Sequence, residues 1–569
     1  MNNIKQFIFK QNWSHLFVIF LILWFVANIL QAVLTEAISD EAYYLLYGKN
    51  LAWGYFDHPP MIGLMTFFSN LLFEGNLSIR FSNIVLHILT IIVIWKLIDE
   101  KQPDARKVTL FFIIVASMAM FTIAGFTAIP DTPYIFFTAL FLLFYKKFLE
   151  RESWLNTIIL GLAIAGMMYS KYHTVLVVGF IVLSNLKLIA RPKAWMAAIL
   201  ALILLIPHIC WQFSMDFPSI KYHLYDRNRV FEWSYFLEYL PNQLVTFNPG
   251  ALGLVVYILF KYKINSLFER GMYFLIAGFL IFFWAMSFRG HVQPQWTVAC
   301  TIPMILLIYR YSLQNQKIMR FLKIWITPVV VILLIARIIL ITDLLPMHLG
   351  FTGKELRDKA VQSVAGELPV AFTGSFQRAS LYPFFTKRDA FVLSSVHSRQ
   401  TQFDIWQKEM NYQGKTVFIC SNVEGFSKLY EINGHTFHGH ITENFQSVNR
   451  LKIEYTLNNS ELHIGDTLDI HFKIHNPTGF DVDFQHSEFP VTCKIVYRVL
   501  KTINTADSEM DECVGILKSG ESISRSVKTV VPELPAGNYL FALSLFNNIC
   551  ASQNSEYVPI KITSPKNDR

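Results

Sequence analysis

Charge and cysteine are scarce in this chain. Charged residues make up 16% and cysteine supplies six positions of 569. So little charge cannot cover the surface of a soluble protein of this length, and the mean hydropathy of +0.37 agrees. Cys210 and Cys300 fall within apolar runs and read as small buried hydrophobes. Cys420, Cys493, Cys513 and Cys550 lie in the polar C-terminal part, where a disulfide is open but its pairing is not readable. There is no CxxC or HExxH zinc pattern, no glycine-rich nucleotide loop, no internal repeat and no low-complexity tract. The net charge is +8, yet no Lys/Arg block is interleaved with stacking aromatics, which excludes a nucleic-acid surface.

What the chain has is apolar length. Hydrophobic residues reach 53%, with 50 Phe and 12 Trp available for interfacial belts. A spanning helix needs about 20 mostly apolar residues. By that rule about eleven spans are expected: Leu16–Leu34, Ile79–Ile98, Val108–Thr127, Thr132–Phe148, Leu155–Ser170, Tyr172–Ile189, Ala194–Phe213, Leu244–Phe260, Gly271–Phe288, Gln293–Tyr309 and Phe321–Leu345. Lys5 and Lys10 precede the first run as in a signal peptide, but the run is long enough to span and has no clear cleavage site, so it reads as a retained helix.

Alternate loops are basic. They carry Lys101, Arg106 and Lys107; Lys146, Lys147 and Arg151; Lys187, Arg191 and Lys193; Lys261, Lys263 and Arg270; and Arg310, Lys317, Arg320 and Lys323. The positive-inside rule makes these loops and the N-terminus cytoplasmic. The other loops, Thr35–Ser78, Ala128–Asp131, the Lys171 junction, Ser214–Gln243 and Arg289–His291, then face outward. An odd number of spans places everything after Pro346 outside the cytoplasmic membrane, in the periplasm if there is one. The domain reading is a helical membrane domain over 1–345 with interfacial helices at 39–75, an α/β domain over 346–449 and a β-sandwich over 450–569. Short alternating strands such as Thr467–Ile474 and Tyr539–Phe546 carry the last assignment.

Polar chemistry concentrates in the outward loops. Ser39 to Met61 holds Asp40, Glu41 and Asp57, with His58 beside the last. Asp40-Glu41 fits a helix start. Apolar residues at Ala42, Leu45, Leu46, Ala52, Trp53 and Phe56 predict a helix up to His58-Pro59-Pro60, with Tyr43, Tyr44, Tyr47 and Tyr55 at a membrane interface. A second amphipathic helix is predicted from Met61 to Leu72. Asp131 precedes Thr132-Pro133 and fits either an N-cap or a functional acid. Lys171 interrupts a long apolar stretch, as a boundary lysine or a phosphate contact. Lys221, His223, Arg227 and Arg229 form a basic loop that suits a lipid phosphate or a solvated face. Arg289 and His291 are better candidates for phosphate, next to Trp296. Acids in the first loops and cations in the later ones are what sugar transfer from a lipid phosphate needs: a carboxylate to deprotonate an acceptor hydroxyl and cations to stabilise the departing phosphate.

The run Asp40-Glu41-Ala42-Tyr43-Tyr44 followed by Trp53-Gly-Tyr-Phe-Asp-His-Pro-Pro-Met61 resembles the first extracytoplasmic loop of bacterial GT-C membrane glycosyltransferases. That branch, family 39-like, is related to protein O-mannosyltransferases and lipid A aminoarabinose transferases. Asp131-Thr-Pro, Ser170-Lys-Tyr and the Trp296 region extend the likeness over roughly residues 14–345, and Ser398 to Trp406 resembles the soluble part of some bacterial members. The resemblance implies transfer of a sugar from a polyprenyl phosphate to an acceptor hydroxyl or phosphate outside the cytoplasmic membrane, with inversion. The base role falls on Asp40, with Glu41 adjacent and Asp131 as second acid. Lys171, Arg289, His291, Arg227 and Arg229 are expected at the donor phosphate. Tyr43, Tyr44, Asp57, His58, Tyr172 and Trp296 are expected in the substrate pocket. Some relatives hold a divalent metal, for which Asp40, Glu41, Asp131 and His58 are the candidate ligands; no other cofactor is implied. The expected partners are the lipid-linked donor, a lipid, glycan or protein acceptor, and the bilayer. The competing reading is a transporter or flippase of lipid-linked saccharides, which would place charges inside the spans and show repeat-related halves.

Overall fold

The structure is a computed structural model that describes residues 13–226, 231–342, 352–423, 426–499, 502–510 and 515–565. The chain forms two compact units, 1–352 and 353–569.

The first unit is helical, and the protein is an integral membrane protein. Its helices are α1 (Trp13–Leu34), α2 (Ser39–Lys49), α3 (Met61–Leu72), α4 (Leu77–Ile98), α5 (Ala105–Ala116), α6 (Ala119–Ala124), α7 (Asp131–Glu150), α8 (Trp154–Ser170), α9 (Thr174–Ser184), α10 (Pro192–Ser214), α11 (Trp233–Phe247), α12 (Pro249–Lys261), α13 (Leu267–Met286), α14 (Pro294–Gln314) and α15 (Gln316–Thr342). Among the described residues, seven are long and apolar enough to cross a membrane: α1, α4, α7, α10, α13, α14 and α15. α11 and α12 are long and apolar enough only when taken together, and a bend of 99° between them makes the pair a broken span or a re-entrant loop. The bend falls at Asn248, whose φ is +68°, followed by Pro249. The predicted run Leu244–Phe260 is therefore split across two helices. The run Val108–Thr127 is likewise broken at Ser117 and Met118 between α5 and α6. Exposed apolar side chains on α1, α10 and α15, such as Leu23, Leu202 and Ile332, suit contact with lipid.

The basic loops gather through pairing. Lys146 and Lys101 meet Asp99, Lys107 meets Glu100, and Tyr309 donates to Glu100 at 3.1 Å. Arg191 pairs with Glu152, and Arg310 lies 3.8 Å from Glu269. The loops that the charge pattern assigns to one side are thus tied together by their own acids.

The second unit opens with α16 (Lys354–Ala365), β1 (Val370–Thr373), α17 (Phe376–Thr386), β2 (Ala390–Leu393), α18 (Gln402–Trp406), β3 (Val417–Cys420), β4 (Lys428–Ile432) and β5 (His435–Thr442). These strands form one sheet in the order β2-β1-β3-β5-β4, with β1 parallel to β2 and β3. The rest is β-rich: β6 (Lys452–Tyr455), β7 (Glu461–His463), β8 (Thr467–His475), β9 (Val482–Asp483), β10 (Thr492–Val499), β11 (Thr502–Asp507), β12 (Glu509–Met510), β13 (Ile516–Leu517), β14 (Ser522–Val530), β15 (Gly537–Phe546) and β16 (Val558–Thr563). Two sheets, β11-β10-β15-β16-β7 and β12-β14-β8-β6, bury alternate residues such as Ile470, Phe472 and Ile474 against Ile495, Tyr497 and Phe541. A further core cluster joins the parts, since Ala371 and Phe391 share it with Phe489 and Ile549.

Candidate functional site

The site is built on the loops of the first unit that the charge pattern assigns to the outer side. Helix α2 begins where Glu41 turns back to accept from the Ile38 N–H at 3.0 Å, filling an unpaired donor of the first turn. The same carboxylate accepts from Arg80 Nε at 2.7 Å, from Arg80 Nη2 at 2.5 Å and from the Ala128 N–H at 2.7 Å. Arg80 also donates to the Ala32, Thr35 and Glu36 carbonyls. Both side chains are 0% exposed. Glu41 is thereby a clamp that fixes α1, α2, α4 and the loop before α7. Serving as a base or a metal ligand would require breaking it.

Asp40, its neighbour, is exposed. The adjacent acids on one helix start face different environments, which their spacing alone does not reveal.

Helix α2 ends at Lys49 instead of running on to Phe56. Residues 50–60 form an irregular turn pinned by the Tyr55 hydroxyl, which accepts from the Ala52 N–H and lies 2.9 Å from the Tyr47 carbonyl. The tyrosines expected at the membrane interface are buried instead. Tyr47 stacks on Tyr55 with ring centroids 3.9 Å apart, and Tyr43 packs on Tyr47 at 4.8 Å. Close packing explains two glycines. A Cβ on Gly48 would lie 2.6 Å from Thr66 Oγ1 and 2.7 Å from the Phe67 nitrogen, so α2 and α3 touch backbone to backbone. A Cβ on Gly54 would enter the Trp211 ring.

Asp131 is the first residue of α7, behind an N-cap at Pro130 that makes no side-chain cap bond. Its carboxylate pairs with Lys171 Nζ at 2.7 Å, and both side chains are nearly inaccessible. The two polar turns chosen from sequence therefore meet. Burial first, then the charges of Asp40, Asp57 and Asp131, hold the Tyr44 hydroxyl well above the ordinary tyrosine range. Three carboxylates thus bear on one phenol, which also lies 3.1 Å from His58 Nε2. Asp57 is buried with Tyr47 Oη 3.5 Å away.

A second network, absent from the sequence reading, joins these loops. His208 Nδ1 lies 2.6 Å from the Trp53 carbonyl, and Tyr172 Oη lies 3.2 Å from His208 Nε2. Gln212 donates to Tyr172 and to Ser219, and Ser219 donates to the Tyr55 carbonyl at 2.9 Å. His223 Nε2 is 3.2 Å from the Asp57 carbonyl. A histidine inside the run Ala194–Phe213 and an arginine at the start of Ile79–Ile98 were signals that could have found His208 and Arg80, because an ionisable group in an apolar run needs a partner.

The other expected residues are placed less closely. Trp296 packs on His173 at 5.3 Å and donates to Gln293. Arg289 and His291 are exposed, and His291 lies 3.9 Å from Glu238. Lys221 pairs with Asp216. Arg227 and Arg229 lie outside the described residues. Among the described residues, no three His, Cys, Asp or Glu side chains gather to hold a metal ion. The set Asp40, Glu41, Asp131 and His58 does not converge, since Arg80 occupies Glu41 and Lys171 occupies Asp131.

Residues 57–211 match the family model described as dolichyl-phosphate-mannose-protein mannosyltransferase. No curated protein matches the chain. Among solved structures, ArnT from Cupriavidus metallidurans in the apo state aligns with a TM-score of 0.55 at 12% identity, covering 75% of this chain and 98% of ArnT. The same protein bound to undecaprenyl phosphate gives 0.54 at 13% identity, with the same coverages. The chain shares its fold with ArnT. Within that fold, the matched segment contains Asp57, Arg80, Asp131, Lys171, Tyr172 and His208, so it spans most of the site just described. Asp40 and Glu41 lie before it.

Proposed function

We propose that the chain is a membrane glycosyltransferase that moves a sugar from a polyprenyl-phosphate donor to an acceptor hydroxyl or phosphate on the outer face of the cytoplasmic membrane. The observation that carries this reading is the division of labour among the outward acids. Glu41 is locked to Arg80 and Asp131 to Lys171, whereas Asp40, next to Glu41, is exposed. Asp40 takes the proton of the acceptor O–H. The acceptor oxygen then attacks the anomeric carbon from the face opposite the phosphate, the bond from that carbon to the phosphate oxygen breaks, and configuration inverts. The departing polyprenyl phosphate leaves with the bonding pair. An ammonium has three N–H donors and Asp131 takes one from Lys171, which leaves two to stabilise the phosphate. Tyr44, its proton held by burial and three acids, offers a neutral hydroxyl to the sugar. ArnT, the fold neighbour, binds undecaprenyl phosphate, which supports a donor of this type.

The test is transfer in membranes. Radiolabelled undecaprenyl-phosphate sugars are supplied to wild type and Asp40→Asn, and label is followed into lipid, glycan and protein fractions. Transfer by wild type should fall by about 10²-fold or more in Asp40→Asn, the scale of a lost general base. Equal transfer by both proteins would remove Asp40 from the chemistry. No transfer of any sugar by folded wild type would overturn the reading.

A further inference from the structure

The second unit carries an open groove of about 1060 Å³ that contains none of the residues assigned to transfer. Its wall is built from groups that are already satisfied. Asn554 donates to the Val448 and Leu451 carbonyls and accepts from the Leu545 N–H. Arg450 pairs with Glu409 at 2.7 Å. Tyr455 Oη sits 2.9 Å from the Phe541 carbonyl. This wall has no slack of its own to fill with ligand.

A different set of side chains points from it uncommitted. Gln400, Gln407, Gln553, Lys452, Glu454 and Glu556 line the groove and are exposed. Among the described residues, none of these six side chains has a hydrogen bond or ion pair. Phe480, 44% exposed on the turn after β8, adds a flat apolar surface to the same groove.

The chemistry of that set selects a ligand class. An amide carries both donors and an acceptor, so three free amides match groups that both give and take a hydrogen bond, as sugar hydroxyls do. Two free carboxylates accept from further hydroxyls. One free lysine shares the lining with them, a balance that disfavours phosphates and acidic sugars. An acyl chain would find too little apolar wall. An added peptide strand is blocked at the edge strand β6, because the Ile453 N–H is already taken by the Asn554 carbonyl at 2.8 Å. The aromatic face of Phe480 suits the C–H face of a sugar ring. The volume lies just above the roughly 300–1,000 Å³ range of small-molecule sites, which leaves room for more than one ring. We infer that this groove binds a neutral oligosaccharide. The inference stands apart from the transfer reading and does not depend on it.

The full chain in lipid nanodiscs is titrated calorimetrically with maltotetraose and, separately, with tetragalacturonate. The neutral tetrasaccharide should bind, and the acidic one about tenfold or more weaker. Gln407→Ala/Gln553→Ala and Phe480→Ala should each weaken maltotetraose binding by about fivefold or more, with unchanged melting temperatures. Phe480→Leu, which keeps apolar volume and loses the flat ring, replaces Phe480→Ala if the latter melts early. Asp40→Asn should bind as wild type does, which separates this groove from the transfer site. No maltotetraose binding up to about 10 mM, equal or tighter binding of the acidic probe, unaffected groove variants, or loss of binding in Asp40→Asn would each overturn the inference.

Discussion

Replacing Glu41 by glutamine should destabilise the membrane unit, whereas replacing its neighbour Asp40 by asparagine should stop transfer without that loss of stability. The Glu41 carboxylate takes four hydrogen bonds, two from Arg80 and two from backbone N–H groups. A glutamine has one carbonyl oxygen to offer, and its NH₂ would face donors on the other side. Arg80, 0% exposed, would also lose the only carboxylate paired with it among the described residues. Breaking a buried pair by removing one partner costs about 3–5 kcal/mol. At about 2 °C per kcal/mol for a unit of this size, the melting temperature should fall by about 6–10 °C. Glu41→Gln/Arg80→Met removes both charges and should recover more than half of that loss, because an absent pair costs less than a broken one. The assay is a thermal melt of detergent-purified protein beside the membrane transfer assay. If Glu41→Gln melts as wild type does and still loses transfer, Glu41 takes part in the chemistry and the clamp assignment is wrong. If Asp40→Asn melts as low as Glu41→Gln, the contrast between the two acids disappears.

Lys171→Met should reduce transfer by about tenfold or more and lower the melting temperature, since Asp131 is left buried without its cation; Lys171→Arg should retain part of both, and a fully active Lys171→Met would exclude a role at the phosphate. Gly48→Ala should cost about 1–3 kcal/mol through the contacts with Thr66 and Phe67, read in the same melt, and a neutral result would show that α2 and α3 can separate. Because burial and three acids raise the Tyr44 phenol, its neutral form persists as pH rises through the ordinary tyrosine value near about 10. The rate–pH profile should therefore show no limb near that value that disappears in Tyr44→Phe. Ser219→Ala, which frees the Tyr55 carbonyl, should raise KM for the donor more than it lowers kcat; an unchanged KM would mean that the network around His208 does not position the first loop.

The legible part of this molecule was its composition and its polar interruptions. Long apolar runs gave α1, α4, α7, α10, α13, α14 and α15, because the membrane demands a length that periodicity cannot disguise. Asp131 stood out in the turn between two such runs and Lys171 because it interrupts one, and the structure joins them. Partnerships across distant helices were not legible. Nothing local in Asp40-Glu41 says which acid turns toward Arg80, 39 positions later. The same blindness affected the tyrosines: an amphipathic spacing fits an interfacial helix and a buried stack equally well, and only the packing of α3 against α2 decides. The third and eighth runs are each divided between two helices for a backbone reason, as Ser117-Met118 and Asn248-Pro249 break helices inside apolar sequence.

The clamp and the site share elements, and that sharing constrains how the site can evolve. Glu41 binds the Ala128 N–H three residues before Asp131, while Arg80 binds carbonyls at the end of α1. One buried ion pair therefore fixes the two loops that carry the exposed acid and the buried one. Tyr172, His208, Gln212 and Ser219 then hold the far side of the first loop through the Trp53 and Tyr55 carbonyls. Binding through carbonyls holds the loop without specifying its side chains. Trp53, which is 57% exposed, is thus free to vary while the backbone beneath it stays in place. A buried pair of this kind contributes little net stability compared with apolar packing of the same volume. Its value here is positional: it ties the ends of α1, α2 and α4 together and so fixes the loops of the two carboxylates relative to each other, as the proposed transfer requires.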